Sequence, residues 1–279
     1  GAAELGFQGS LAYAKDRLAM RSLSGPKNPE GIADPIIVHP DVRRMLLSQK
    51  AVAEGARALI YLTAQQADIV HSGKTEEDRK AADEALGFLT PIAKAFLTEI
   101  GYEAANLGMQ VFGGHGFISE WGMEQNVRDS RIGMIYEGTT GIQALDLLGR
   151  KVLMTQGESL KGFTKQVHVF CKENADNEQL REFVEPLAAM KNREEVGAAS
   201  VDYLMYSGYA VFAYLWARMA KVALDKMVEG TTEEMFYNAK VQTARFYFKR
   251  MLPRAKGHAE SMLAGSDSLM DMPEEAFAL

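Results

Sequence analysis

Val42, Met45, Leu46, Val52, Ala56, Leu59, Ile60 and Thr63 recur at helical spacing between Asp41 and His71. No proline interrupts that stretch. The pattern predicts a single long helix over about 41–71. "HSGKTEED" breaks it, and a second long helix is expected from about Glu76 to Phe112. Pro91 removes one backbone donor there, so the helix is expected to kink or split at that point. Leu5, Leu11, Ala12, Leu18 and Ala19 fit one face of an earlier helix that ends near Leu23. Four of the eight prolines, Pro26, Pro29, Pro35 and Pro40, fall within fifteen residues and mark "SGPKNPEGIADP" as a loop.

The helical period continues beyond Phe112. "FGGHGFISEWG" reads as a loop, and "MEQNVRDSRIGMI" as a short helical run leading into "YEGTTG". The period resumes with Ile142, Leu145, Leu148 and Val152. The stretch from Gly157 suggests two helices broken near 174–177. Val201, Leu204, Met205, Gly208, Val211, Phe212, Leu215, Met219 and Val222 then repeat at threes and fours, an amphipathic helix with a wide apolar face. "MVEGTTEEMF" offers a glycine stop and Thr232 as the cap of a further helix running to about Gly257. The tail "GSDSLMDMPEEAFAL" is weakly patterned and reads as extended. No strand of convincing length emerges. The fold class is all-α: a helical bundle over 1–154 and an additional helical domain over 155–279.

Composition narrows the function. The 279 residues are 47% hydrophobic and can bury a sizeable core. A net charge of −6 argues against a broad nucleic-acid surface. Cys171 is the single cysteine, so no intrachain disulfide forms and a reducing, cytoplasmic compartment is expected. The most apolar run, Tyr203 to Ala217, lies between Asp202 and Arg218. It is shorter than the roughly 20 residues a membrane span needs, and reads as a buried helix. The opening "GAAELGFQGSLAYAKDR" starts without methionine or N-cap, as the middle of a helix would, and suggests a piece of a longer protein.

Glu137 is the residue whose setting invites chemistry. Gly133 and Gly138 flank it, and Thr139 or Thr140 can cap the next helix. A carboxylate just before a helix start brings a base together with backbone N–H groups. Taken alone, a solvent-facing turn glutamate explains it as well. Gly113, Gly114 and Gly116 lack the strand context of a dinucleotide loop, and a helix stop followed by a turn accounts for much of them. Gln110 suits a ligand or water. Arg17 and Arg21 stand four apart, as a pyrophosphate-binding pair or a solvated helix face would. His39, His71, His115, His168 and His258 have no metal-ligand spacing, so no metal site is expected. Cys171, inside "VHVFCK", reads as a buried, inert thiol.

Together "AYAKDR" and "QVFGGHGFISEWGMEQNVRDSRIGMIYEGTTGIQ" resemble the C-terminal helical domain of the acyl-CoA dehydrogenases over about residues 3–153. The second stretch matches the family signature over some thirty residues and is far more specific than its parts. The resemblance implies that Glu137 is the general base removing the α-proton of an acyl-CoA thioester, with the β-hydrogen leaving as hydride to FAD. Charge building up on the thioester oxygen then needs a donor, and the resemblance implies that the backbone N–H of Glu137 helps supply it. A base of this kind works in a desolvated site, where burial raises a carboxylate's pKa. The resemblance further implies that Arg17 contacts FAD, that Gln110, Gly113 and Gly114 meet the FAD adenosine pyrophosphate, often from the neighbouring subunit, that Thr139 contacts the flavin nucleotide, and that an electron-transfer flavoprotein reoxidises the cofactor. A homodimer or homotetramer is implied as well. Gly141 stands where the family often has glutamine, so that adenine-side contact is not carried over. The proline-rich loop at 24–40 replaces a tighter connection, and the FAD contact usually made there is not carried over either. "IVHPDVRRMLL" and the extension after 155 resemble a bacterial subgroup that includes enzymes of methylthiopropanoyl-CoA. A chain without the rest of such a protein is expected to bind FAD poorly and to turn over no substrate. The alternatives are a non-catalytic helical scaffold of the same descent and an acyl-CoA oxidase-like flavoenzyme.

Overall fold

A computed structural model of the chain describes residues 1–190 and 200–264. Among them there is no strand, only an isolated bridge between Leu18 and Pro35. The structure is all-α. Two compact units divide it: residues 1–58 with 97–137, and residues 59–96 with 138–279. The long helices α2 (Pro40–Ser72) and α3 (Glu76–Phe112) each contribute to both. α3 runs unbroken through Pro91. Its start has a clear cause: the Thr75 hydroxyl accepts from the Asp78 N–H at 3.0 Å, and Glu76, Glu77 and Asp78 place negative charge at the positive end of the helix dipole.

In the first unit, α1 (Ala2–Asp16) stops well before the expected Leu23. Arg17 already has extended backbone (φ −66°, ψ 121°), although Leu18 and Ala19 continue the apolar period. A non-local site explains the early stop. The buried Asp34 carboxylate accepts from the N–H groups of Ser22 (2.8 Å), Lys27 (2.8 Å) and Asn28 (2.7 Å), and from the Arg21 guanidinium (3.3 Å). The Ser22 bond leads in holding Asp34 down at about 2, with Asn28, Lys27 and Arg21 adding to it against the opposing pull of burial. Arg21 also donates to the carbonyls of Asn28 and Gly31. Residues 17–34 thus wrap around one anion rather than extending the helix, and Arg17 and Arg21 do not share a helical face.

Ala14, Ile36, Met45, Leu46 and Val111 form the core beside this loop, with Phe7, Leu11, Tyr13 and Leu107 against them. α1 and α3 approach closely at Gly6 and Gly108: a Cβ on Gly108 would stand 3.1 Å from the Gly6 Cα. Between them lies Gln49, fully buried, accepting from Ser10 (3.2 Å) and donating to the Met45 carbonyl (3.2 Å). That satisfies a polar side chain the core could not otherwise hold.

The stretch "GHGFISEW" is not a plain loop. It forms two short helical turns, α4 (Gly114–Phe117) and a 3₁₀ turn at Ser119–Trp121, before α5 (Met123–Arg131).

In the second unit, α6 (Thr140–Leu145) continues into a π-type segment, Asp146–Leu153. α7 (Glu158–Glu173) and α8 (Arg181–Ala188) follow, broken as expected around 174–180. The center of the unit is α9 (Ser200–Glu229), against which α6, α8, α10 (Glu234–Phe246) and α11 (Arg254–Met262) pack. Leu204, Phe212 and Trp216 on α9 are fully buried, in keeping with the buried-helix reading. No described helix is long and apolar enough to cross a membrane. Gly230, at φ +84°, ends α9 as expected. Thr232 does not cap the next helix, which starts at Glu234 after Glu233; Thr231 instead accepts from the Glu233 N–H at 3.1 Å. Nor does that helix reach Gly257: it widens into a π-type turn at Tyr247–Met251 and ends before Pro253, after which α11 begins. The tail after Ala264 lies outside the described residues.

Candidate active site

Glu137 follows a 3₁₀ turn at Ile132–Met134, closed by the bonds Ile135 N–H to Ile132 O (2.9 Å) and Tyr136 N–H to Ile132 O (3.1 Å). A Cβ on Gly133 would stand 3.1 Å from the Thr98 methyl, so the turn passes close to α3 there. Glu137 then takes φ +52° and Gly138 φ +91°. Glycine is at ease in that region, but a glutamate there costs about 1–2 kcal/mol. Few ordinary surface glutamates adopt it. Ile132, Ile135 and Tyr136, on the same turn, expose 53%, 49% and 52% of their surface, and Glu137 is exposed as well. The carboxylate therefore stands on an apolar rim open to the outside of this chain.

Thr139 (φ −60°, ψ 166°) is the N-cap of α6, its hydroxyl accepting from the Ile142 N–H at 3.4 Å. The sequence left Thr139 and Thr140 open; the cap is Thr139. Ile142 and Leu145, expected on the apolar face, are 57% and 60% exposed, while Ala144, Leu147 and Leu148 are buried. From α3, the Lys94 ammonium donates to the Gly138 carbonyl, directly after Glu137.

Arg17, Gly113 and Gly114 come together in the first unit. With Tyr13, Ala19, Ile36, Val111, Phe112 and His115 they line an open groove of about 360 Å³. Gly113 has φ +59°, and a Cβ on either glycine would meet nothing within 4 Å, so the groove reaches the bare backbone at both. Gln110 is exposed one turn earlier, its carbonyl accepting from the Gly113 N–H at 3.0 Å; its side chain is not among the groove's walls. A guanidinium, exposed backbone and aromatic walls suit a phosphorylated, aromatic ligand such as a dinucleotide.

The sequence reading missed the ring cluster that shapes this groove. Tyr13 stacks on Phe112 (4.2 Å between centroids), and its hydroxyl bonds His115 Nδ1 at 3.0 Å. His115 in turn stacks on Trp121 at 5.0 Å and 9°. Tyr13 lies four residues before Arg17, one turn back on a helix, which was the available signal. Among the described residues no group of His, Cys, Asp or Glu is arranged to hold a metal. Cys171 is buried and its thiol is pushed up by desolvation, as expected of an inert core cysteine.

The fold is an all-α helical domain, and the comparisons say to which family it belongs. The model described as "Acyl-CoA dehydrogenase, C-terminal domain" matches residues 1–153, and "Acetyl-CoA dehydrogenase C-terminal like" matches 163–273. The chain belongs to the acyl-CoA dehydrogenase family, a family of oxidoreductases. It is similar to 3-methylmercaptopropionyl-CoA dehydrogenase of Ruegeria pomeroyi (36% identity, covering 96% of this chain and 48% of the relative). It is also similar to the broad-specificity linear acyl-CoA dehydrogenase FadE5 of Mycobacterium tuberculosis (32%, 98% and 49%). Among solved structures it shares its fold with Caenorhabditis elegans ACDH-11 in complex with C11-CoA (TM-score 0.68, 17% identity, covering 95% of this chain and 45% of that one). An acyl-CoA dehydrogenase complexed with FAD from Bacillus anthracis gives a TM-score of 0.62 at 21% identity, covering 94% and 46%. The chain spans about half the length of these relatives.

Proposed function

We propose that this chain is the C-terminal half of an FAD-dependent acyl-CoA dehydrogenase and that Glu137 is its general base. The observation that carries the reading is a glutamate held at φ +52° between an apolar turn and a helix cap, inside a thirty-residue stretch resembling the family signature. The Glu137 carboxylate takes the α-proton of the bound thioester. Its own backbone N–H donates to the thioester oxygen, which carries the developing negative charge as the proton leaves. FAD, when bound, supplies the acceptor for the hydride from the β-carbon, so proton and hydride together leave a trans-2-enoyl-CoA. Arg17, Gly113 and Gly114 hold the diphosphate end of the cofactor, Gln110 adds a contact from beside the groove, and Thr139 lies toward the flavin nucleotide. The aromatic wall of Tyr13 and His115 suits the same ligand.

The remaining half of the protein supplies the surface that covers Glu137. Residues 155–279 form a domain appended to the bundle at 1–154. An electron-transfer flavoprotein would be the partner that reoxidises FAD, and the enzyme would be a homodimer or homotetramer. Relatives named as dehydrogenases favor this chemistry over oxidation by dioxygen.

The test uses the full-length protein. Glu137→Gln is expected to keep the flavin absorption spectrum while abolishing bleaching of the flavin by acyl-CoA. Bleaching at the wild-type rate in Glu137→Gln would overturn the assignment and leave the scaffold reading. The chain without the rest of the protein is expected to retain little FAD and to show no turnover.

A further inference from the structure

We propose that Lys94 is a positioning residue for Glu137, acting through the Gly138 carbonyl; the proposal rests on the reading of Glu137 as the base. Glu137 and Gly138 take positive φ in succession, and such backbone persists only where its surroundings hold it. Thr139 caps the following helix with a 3.4 Å bond and fixes the downstream side. The carbonyl in between belongs to Gly138, and it accepts from the Lys94 ammonium, forty-four residues earlier on α3. A hydrogen bond from a charged donor is stronger than a neutral one, and here it arrives from a rigid helix. Lys94 is half-buried, so water competes less for its ammonium than at an open surface.

Released from Lys94, the Gly138 backbone loses its anchor, and Glu137, the residue joined directly before it, loses the support that holds its positive φ. The Glu137 carboxylate and N–H are the two groups that must meet the α-proton and the thioester oxygen. Lys94 acts on the backbone beside the base, so its loss is felt in the chemical step rather than in substrate binding.

Lys94→Met keeps the aliphatic stem and removes the donor; Lys94→Arg restores a charged donor. Amide hydrogen exchange of the full-length protein, read on peptides covering 132–141, reports the clamp directly. Exchange there is expected to quicken by about tenfold or more in Lys94→Met, with other peptides unchanged, and to return toward wild type in Lys94→Arg. The kcat is expected to fall roughly ten- to a hundredfold, with KM for the acyl-CoA little changed. Unchanged exchange in Lys94→Met overturns the clamp even if Glu137→Gln shows that Glu137 is the base. Faster exchange supports the clamp even if Glu137→Gln shows that the base lies elsewhere. Faster exchange with unaltered kcat in an enzyme that depends on Glu137 overturns the positioning role. Should Lys94→Met unfold, Lys94→Gln takes its place, and faster exchange throughout both variants overturns the proposal in favor of a general structural role.

Discussion

Replacing Gly208 by alanine sets two effects against each other. In the interior of a helix such as α9, alanine is favored over glycine by about 1 kcal/mol, because glycine gives up more backbone freedom on folding. Packing opposes this. The new Cβ would stand 2.2, 2.3 and 2.7 Å from Cγ, Cδ2 and Cδ1 of Phe96, where ordinary contact begins at 3.4 Å. Phe96 is 0% exposed, and its ring is met edge-on by Tyr209 and Phe212 at 5.1 and 5.0 Å. It is the body of a wedged ring, not the end of a flexible chain, so the backbone of α3 or α9 must shift. Overpacking costs about 1–3 kcal/mol, and a contact this deep belongs at the upper end. Packing therefore wins, and Gly208→Ala destabilises the chain by about 2 kcal/mol. For a chain of this size the midpoint falls by about 4–8 °C, measurable by scanning calorimetry. In a Phe96→Ala background the same change is expected to be neutral or stabilising, and the double-mutant cycle isolates the clash. A higher midpoint for Gly208→Ala in the otherwise native chain would refute the steric account, and with it the close seating of α9 on Phe96.

Three other outcomes follow from single contacts. Asp34 is lowered to about 2 from an ordinary 3.8, so its contribution is complete above about pH 4 and is lost as the pH falls through about 2; denaturation midpoints against pH should fall more steeply across that window in wild type than in Asp34→Asn. Tyr247→Phe removes a fully buried hydroxyl that donates to the Tyr209 carbonyl at 2.7 Å, and is expected to cost about 1 kcal/mol with an unchanged denaturant slope. Arg17→Gln in the full-length protein is expected to weaken FAD retention by about tenfold or more in equilibrium dialysis, while leaving stability nearly unaltered.

Long helices were legible because their period is a local property. α2 and α3 fall within a residue of the ends read from Val42 through Thr63 and from Glu76 to Phe112. Errors arose where a distant group or a change of winding decided the outcome. Leu18 and Ala19 keep the helical period, yet Asp34, far along the chain, takes the Ser22 N–H with its carboxylate and the Ala19 N–H with its carbonyl, two donors that a continued α1 would have needed. The winding changes to π-type at Asp146–Leu153 and Tyr247–Met251, which a fixed 3.6-residue period does not foresee, and the last long helix stops before Pro253. Of the site, the order of residues around Glu137 was readable, including a threonine cap. The positive φ at Glu137 was not, since a glutamate gives no conformational hint of it. Lys94 gave no sign at all, because its partner is a backbone carbonyl with no side chain of its own.

Proton abstraction can be followed apart from hydride transfer by giving the full-length protein an acyl-CoA deuterated at C2 and measuring deuterium loss to water by mass spectrometry. Wild type should release the label, and Glu137→Gln, with its flavin spectrum intact, should release it slower by about a thousandfold or more. Release by Glu137→Gln at the wild-type rate would mean that another group takes the proton.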